Sequence, residues 1–109
     1  IGNAHGHYKV QPELRLDILK QIDNTCDTPL VLHGGTGITP DIFRQCIKNG
    51  VRKINIATAT FAASEQKVRQ GYENSEINGY YDMHLRQILG AYENAKKHME
   101  IFYSVGKAE

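Results

Sequence analysis

Pro29-Leu30-Val31-Leu32-His33-Gly34-Gly35-Thr36-Gly37 is one of two stretches on which the fold of this chain depends. The other is Lys53-Ile54-Asn55-Ile56-Ala57-Thr58. Each begins with a short apolar run of strand length, rich in branched residues, and ends in a loop of polar or glycine residues. Because the carboxyl ends of parallel strands gather at one edge of a sheet, the two loops should be neighbours. The two stretches therefore predict an α/β fold with a functional site at this edge.

Helical patterns alternate with these two strands. Thr39 is a good N-cap residue with Pro40 at the first helical position, and Asn49-Gly50 stops the same helix. Helix and strand alternating at this spacing predict parallel strands joined by right-handed crossovers. The predicted elements are a helix over residues 13–23, a strand from 30, a helix over 40–49, a strand over 51–57, and helices over about 58–70 and 81–103.

Two of the predicted helices carry an apolar face that we expect to lie in the core. The helix after Pro40 has Ile42, Phe43, Cys46 and Ile47 on this face. In the last helix the corresponding residues are Leu85, Ile88, Leu89, Tyr92 and Met99.

Composition excludes several classes of partner and compartment. The chain has 109 residues, 40% of them hydrophobic, which is typical of one globular domain. Its formal net charge of +1 is too small to attract nucleic acid or anionic membranes electrostatically. No run of about 18 apolar residues and no signal-peptide pattern occurs, so we expect a cytoplasmic location. Cys26 and Cys46 form no CxxC motif, and we expect reduced, partly buried thiols.

Polar groups with useful chemistry follow the strands. His5, His33 and Asn55 are all expected at strand ends, and Gly34, Gly35 and Gly37 allow positive φ and a close approach of backbone N–H groups to an anion. The N–H groups of Ala57 and Thr58 open another helix, a second place for phosphate. Each feature also has a structural interpretation: a glycine-rich tight turn, a polar residue satisfied in the core or at the sheet edge, or a structural histidine that binds no metal.

At these residues the sequence resembles the class II, zinc-dependent ketose-bisphosphate aldolases. The resemblance is carried by Gly2-Asn3-Ala4-His5-Gly6 with Tyr8-Lys9, by residues 30–38, and by residues 53–58. It implies cleavage of fructose or tagatose bisphosphate to dihydroxyacetone phosphate and glyceraldehyde 3-phosphate. It also implies a TIM (β/α)8 barrel, of which residues 1–109 would be the C-terminal part of a single domain, from the end of strand six through helix eight.

The resemblance further implies a role for each residue of the site. His5 and His33 would be zinc ligands, and Asn55 would contact the enediolate or the neighbouring substrate hydroxyls. Backbone carbonyls around Gly6 and Gly34 would hold a monovalent cation, Na⁺ or K⁺. The phosphorylated ketose would be bound at its phosphate end by Gly6, Gly34, Gly35, Thr36, Asn55, Ile56, Ala57 and Thr58.

The same resemblance implies that other groups complete the enzyme. The third zinc ligand and the catalytic aspartate belong to the first half of the barrel, so we expect this chain to be inactive alone and to require the N-terminal part. Relatives in the family imply a homo-oligomer, a dimer or tetramer.

Two other functions fit parts of the sequence. His5-Gly6-His7 has the HxH form of a metal-dependent hydrolase, although little of an apolar first strand precedes it. A non-catalytic phosphate-binding module is the second alternative.

Overall fold

The computed structural model describes residues 1–7 and 9–108. It contains two strands and four helices, in the order expected from the sequence. In chain order these are α1 Leu16–Thr25, β1 Leu30–Leu32, α2 Pro40–Lys48, β2 Val51–Ile54, α3 Thr58–Glu73 and α4 Tyr80–Ile101. Within this part of the chain, no helix is both long and apolar enough to cross a membrane.

The sheet confirms the predicted parallel pairing. β1 and β2 lie side by side in parallel, with Leu30 opposite Val51 and Leu32 opposite Ile54. The predicted second strand is too long, because β2 ends at Ile54. The backbone N–H of Asn55 still donates to the carbonyl of Leu32 at 2.9 Å, after which the chain leaves the ladder to begin α3.

The local signals at the ends of α2 explain its position. The Thr39 hydroxyl accepts a hydrogen bond from the N–H of Ile42 at 3.4 Å, and Pro40 is the first helical residue. Both features were predicted from the sequence, since an N-cap hydroxyl satisfies a backbone donor that the helix leaves unpaired. The cap fixes where the loop after β1 ends, and this loop carries the glycines.

A small core joins α1 and α2 to the sheet. Phe43 and Cys46 are fully buried, as expected for this face of α2, and burial raises the pKa of the Cys46 thiol. Cys26, in contrast, is exposed, so the expectation that both cysteines are partly buried was wrong. The core cluster consists of Leu19, Leu32, Ile38, Phe43, Cys46 and Val51.

The two long helices α3 and α4 form a separate feature, which we call the arm. They pack against each other along their length rather than against the sheet. They run antiparallel: Asn94 donates to the Thr60 hydroxyl at 3.0 Å, and the Ser64 hydroxyl donates to the Gln87 carbonyl at 3.0 Å. The described chain has a radius of gyration of 16.7 Å, whereas a compact domain of this length has about 13 Å. The arm therefore projects from the rest of the fold.

The predicted core face of α4 was wrong. Leu85, Ile88, Tyr92 and Met99 are exposed, and only Leu89 among the five predicted residues is half-buried. The helix instead turns Gly90, which is buried, toward the backbone of Ala63 and Ser64 in α3. A regular apolar stripe indicates that a helix face avoids water, but the stripe does not identify what covers it.

Candidate functional site

Two histidines meet where the N-terminal loop passes the end of β1. The imidazole rings of His5 and His33 have centroids 5.7 Å apart and planes inclined at 69°. Both side chains are exposed. The structure thus brings together two residues that are 28 positions apart in the sequence, as the strand-end argument predicts.

Asn55 joins this pair from the neighbouring strand end. Its amide nitrogen Nδ2 lies 3.5 Å from both Nδ1 and Nε2 of His33. Equal distances place the amide beside the imidazole rather than in a hydrogen bond to one ring nitrogen. The backbone bond to Leu32 holds Asn55 in register with the end of β1. Its half-buried side chain therefore borders the site.

A small cleft gathers nearly all the residues singled out from the sequence. Its volume is about 80 Å³, well below the roughly 300–1,000 Å³ that enclose a whole drug-sized ligand. A cleft of this size suits one phosphate-sized group. It is lined by His5, Gly6, Gly34, Gly35, Thr36, Asn55, Ile56, Ala57 and Thr58. His33 lies outside this lining, on an adjoining groove that it shares with His5.

The glycines of the loop after β1 serve different purposes. Gly34 and Gly37 have φ of 66° and 83°, as predicted for a loop that bends sharply. Gly35 does not have positive φ, so the prediction of positive φ was wrong at this glycine. A Cβ atom at Gly35 would lie 2.7 Å from Cδ1 of Ile56 and 3.2 Å from the ring of Phe43. Close packing therefore explains why glycine is needed at this position.

The start of α3 makes one wall of the cleft suitable for an anion. The helix begins at Thr58, and no side chain caps its N terminus at Ala57. The hydroxyl of Thr36 accepts a hydrogen bond from the N–H of Ala59 at 3.2 Å, which ties the glycine loop to the first turn of α3. The N terminus of a helix carries a partial positive charge and outward N–H groups, both of which favour phosphate.

Sequence reasoning missed the contacts that hold the histidine loops together. The side-chain amide of Asn3 donates to the backbone carbonyl of His33. A Cβ atom at Gly34 would collide with the carbonyl of Ala4, so the two loops approach as closely as their backbones allow. No spacing rule links Asn3 to His33, and only its place beside His5 hints at this role.

The histidine pair fits part of a metal site. Among residues 1–7 and 9–108, no three histidine, cysteine, aspartate or glutamate side chains converge as a complete ligand set. Catalytic zinc usually takes three protein ligands, so neutral imidazoles at His5 and His33 would supply two of them. Tyr8, part of one sequence motif, lies outside the described residues.

His7 does not join the pair. It lines a groove between the arm and the N-terminal loop, whereas His5 lines the cleft. The two histidines of the HxH motif therefore line different cavities.

Comparisons with known proteins agree on one family. The profile described as fructose-bisphosphate aldolase class-II matches residues 1–107. The chain is 34% identical to sulfofructosephosphate aldolase of Alkalicoccus urumqiensis over 113 residues, covering 99% of this chain and 38% of that protein. It is 37% identical to fructose-bisphosphate aldolase of Staphylococcus epidermidis over 97 residues, covering 89% of this chain and 32% of that protein.

A solved structure supports the same relationship. The crystal structure of the YdjI aldolase from Escherichia coli K12 matches with a TM-score of 0.87 and 31% identity, covering all of this chain and 40% of that one. The chain thus spans between 32% and 40% of the length of these relatives.

Proposed function

Because this chain belongs to the class II fructose-bisphosphate aldolase family, we propose that it supplies the phosphate-binding cleft and two metal ligands of a lyase. The reaction would be the reversible aldol cleavage of a phosphorylated ketose. The observation that carries this proposal is the convergence of His5, His33 and Asn55 beside a phosphate-sized cleft.

The cleft would bind the phosphate of the substrate. Its backbone N–H groups at the start of α3, together with the glycine loop that ends at Thr36, favour a negative charge. The 80 Å³ volume supports phosphate alone as the occupant, with the rest of the sugar extending past the histidines. Anchoring one end in this way would hold the reacting carbons at a fixed place.

His5 and His33 would bind zinc, with a third ligand from outside the described residues. When bound, zinc supplies Lewis-acid polarisation of the substrate carbonyl. The two imidazoles must be neutral to bind it, which makes metal affinity fall as pH falls. Backbone carbonyls around Gly6 and Gly34 would hold a monovalent cation, Na⁺ or K⁺.

Asn55 would act on the substrate oxygens. Its amide can donate to the oxygen on which negative charge develops, and its carbonyl oxygen can accept from a hydroxyl. The backbone hydrogen bond from Asn55 to Leu32 supports this role, because it fixes the Asn55 backbone and so keeps the side-chain amide near His33.

The remaining parts of the enzyme are inferred from the length of the relatives. Residues 1–109 would form the C-terminal part of one (β/α)8 barrel, and an N-terminal part would supply the third ligand and the catalytic aspartate. We further propose a homo-oligomer in the cytoplasm.

The substrate would be fructose or tagatose bisphosphate, giving dihydroxyacetone phosphate and glyceraldehyde 3-phosphate. Names of the matched relatives include both fructose-bisphosphate and sulfofructosephosphate aldolases. Both enzyme names describe a phosphorylated sugar as the substrate. This supports a phosphate-binding site that the two kinds of enzyme share, with differences at the other end of the sugar.

The test is an aldol cleavage assay on the full-length protein with both bisphosphates, following triose phosphate release. We expect His33→Ala to abolish cleavage. His7→Ala is the control, because His7 lies close to His5 in the sequence but lines a different groove, and this variant should retain cleavage. Phosphate binding without any cleavage in the wild-type protein would favour the non-catalytic module. Loss of hydrolytic activity in His7→Ala, without aldol cleavage in the wild type, would favour the hydrolase.

A further inference from the structure

Asn94 on α4 contacts the first turn of α3, which forms one wall of the phosphate-sized cleft. The side-chain Nδ2 of Asn94 donates to the hydroxyl of Thr60 at 3.0 Å, and both side chains are half-buried. Thr60 lies two residues after Thr58, where α3 begins. The contact therefore joins α4 to the end of α3 that borders the cleft.

The backbone N–H groups of this turn have different partners. The first four N–H groups of a helix have no carbonyl partner in the preceding turn. Here the N–H of Ala59 donates to the Thr36 hydroxyl at 3.2 Å, and that of Thr60 donates to the carbonyl of Ala57 at 2.9 Å. The N–H groups of Ala57 and Thr58, which both line the cleft, donate to no acceptor among the described residues. Because these are backbone groups, their direction depends on where the turn lies.

Two side chains from other parts of the chain hold this turn. Thr36 of the glycine loop holds it through Ala59, and Asn94 holds it through Thr60. Thr36 lines the cleft, whereas Asn94 lines the neighbouring groove between the arm and the N-terminal loop. Asn94 can therefore affect an anion in the cleft only through α3.

The part of α4 that follows Asn94 is fixed to the core beside the other wall of the cleft. The ring of His98 lies edge-on to Phe43 with centroids 6.2 Å apart, and Phe102 packs on the same ring at 5.0 Å. Phe43 is fully buried, and its ring would lie 3.2 Å from a Cβ atom at Gly35 in the glycine loop. One end of α4 thus contacts both the first turn of α3 and the core that supports the glycine loop.

We propose that Asn94 is a positioning residue for the phosphate cleft. By holding Thr60, it keeps the first turn of α3 in the place where the N–H groups of Ala57 and Thr58 point at the bound phosphate. Hydrogen bonds weaken steeply as their angle departs from linear, so a small shift of this turn weakens phosphate binding. This role rests on the phosphate-binding cleft of the proposed function and adds a residue to it.

Calorimetric titration of the full-length protein with inorganic phosphate tests this role. Asn94→Ala and Thr60→Val each remove the hydrogen bond, and valine keeps the shape of threonine. Ser64→Ala is the matched control, because the Ser64 hydroxyl makes another bond between α3 and α4, to the Gln87 carbonyl at 3.0 Å, one turn further from the cleft. We expect phosphate affinity to fall about three- to tenfold in Asn94→Ala and Thr60→Val, as for the loss of one hydrogen bond, and to stay unchanged in Ser64→Ala.

The double variant with Asn94→Ala and Thr60→Val shows whether the two residues act through their shared bond. Each single change removes the same interaction, so the double variant should lose no more affinity than either single variant. Losses that multiply in the double variant would overturn the proposal. So would wild-type affinity in both single variants, or an equal loss in Ser64→Ala. Thr60→Val alone decides the question if Asn94→Ala does not fold.

Aldol cleavage measured on the same samples separates this proposal from the proposed function. In an active enzyme, Asn94→Ala should raise KM for the ketose bisphosphate and leave kcat little changed, because the phosphate is bound equally in the substrate and in the transition state. A fall in kcat with unchanged KM would overturn the positioning role. Phosphate binding that depends on Asn94 in a wild type without cleavage would support this role and refute only the enzyme. A wild type that binds no phosphate would overturn both.

Discussion

At the scale of single residues, the site depends on contacts that align two loops. The Asn3 amide holds the backbone carbonyl of His33, and the rings of His5 and His33 are separated by 5.7 Å. Backbone placement determines where each imidazole points, because the histidine side chain has only two rotatable bonds. Asn3 is thus a positioning residue for the histidine pair.

Replacing Asn3 with alanine should weaken zinc binding to the full-length protein roughly ten- to a hundredfold, the usual cost of losing an outer contact to a metal ligand. Gln11→Ala is the matched control, because the Gln11 amide donates to the carbonyl of Gly37 at 3.1 Å, at the far end of the same loop. Competition with a zinc-sensitive dye measures both affinities. Equal zinc affinity in Asn3→Ala and wild type would show that the loops keep their geometry without this bond.

Gly35→Ala should disturb the cleft by overpacking. The new methyl group would meet Ile56 at 2.7 Å and Phe43 at 3.2 Å, and such insertions cost about 1–3 kcal/mol. Ile56→Val removes the atom of the closest contact, so the double variant should recover part of the stability. Urea denaturation gives the stability, and calorimetric titration with inorganic phosphate gives the affinity. A stable Gly35→Ala that binds phosphate normally would contradict the packing account.

At the scale of elements, sequence patterns predicted most of what the structure contains. The six helices and strands occur in the expected order, since apolar periodicity, the Thr39 cap and the Asn49-Gly50 stop are all local signals. The end of β2 was placed too late, because Asn55 continues the ladder by a single hydrogen bond. Of the predicted residues at the strand ends, His5 and Asn55 line the cleft and His33 lies on the adjoining groove, while their roles stay predictions.

Long-range packing could not be predicted in the same way. The α4 stripe led to a wrong core face, because periodicity reports an apolar face but not its partner. The contacts of Asn3 with His33 and of Ile56 with Gly35 join residues that are far apart in the sequence. Only the folded arrangement brings these pairs together.

In the arm, intrinsic helix preference and packing predict opposite effects of one substitution, Gly90→Ala, on the stability of the protein. Helix propensity alone favours Gly90→Ala by about 1 kcal/mol. A Cβ atom there would lie 2.5 Å from the carbonyl oxygen of Ala63 and 2.7 Å from Cα of Ser64, so α3 and α4 would have to separate. We therefore expect thermal denaturation to show a destabilised protein.

Gly71→Ala provides the comparison for this substitution. Its Cβ would meet the flexible side chain of Ile77 at 2.7 Å rather than backbone, so its melting temperature should fall less. A rise in melting temperature for Gly90→Ala would contradict the close approach of the two helices.

At the scale of the whole molecule, the chain has the properties of one part of a larger structure. Its core has few buried side chains, its two strands have one neighbour each, and the arm projects from it. The chain spans between 32% and 40% of the length of the relatives named above. The histidine pair, which forms no complete ligand set within the described residues, points to a third ligand outside them.

The most direct test of the central claim is the zinc content of the full-length protein, measured by elemental mass spectrometry after exhaustive dialysis. We expect about one zinc per chain for the wild type, little or none for His33→Ala, and unchanged zinc for His7→Ala, with folding checked by circular dichroism. Zinc retained equally by wild type and a folded His33→Ala would contradict the assignment of His5 and His33 as the metal-binding pair.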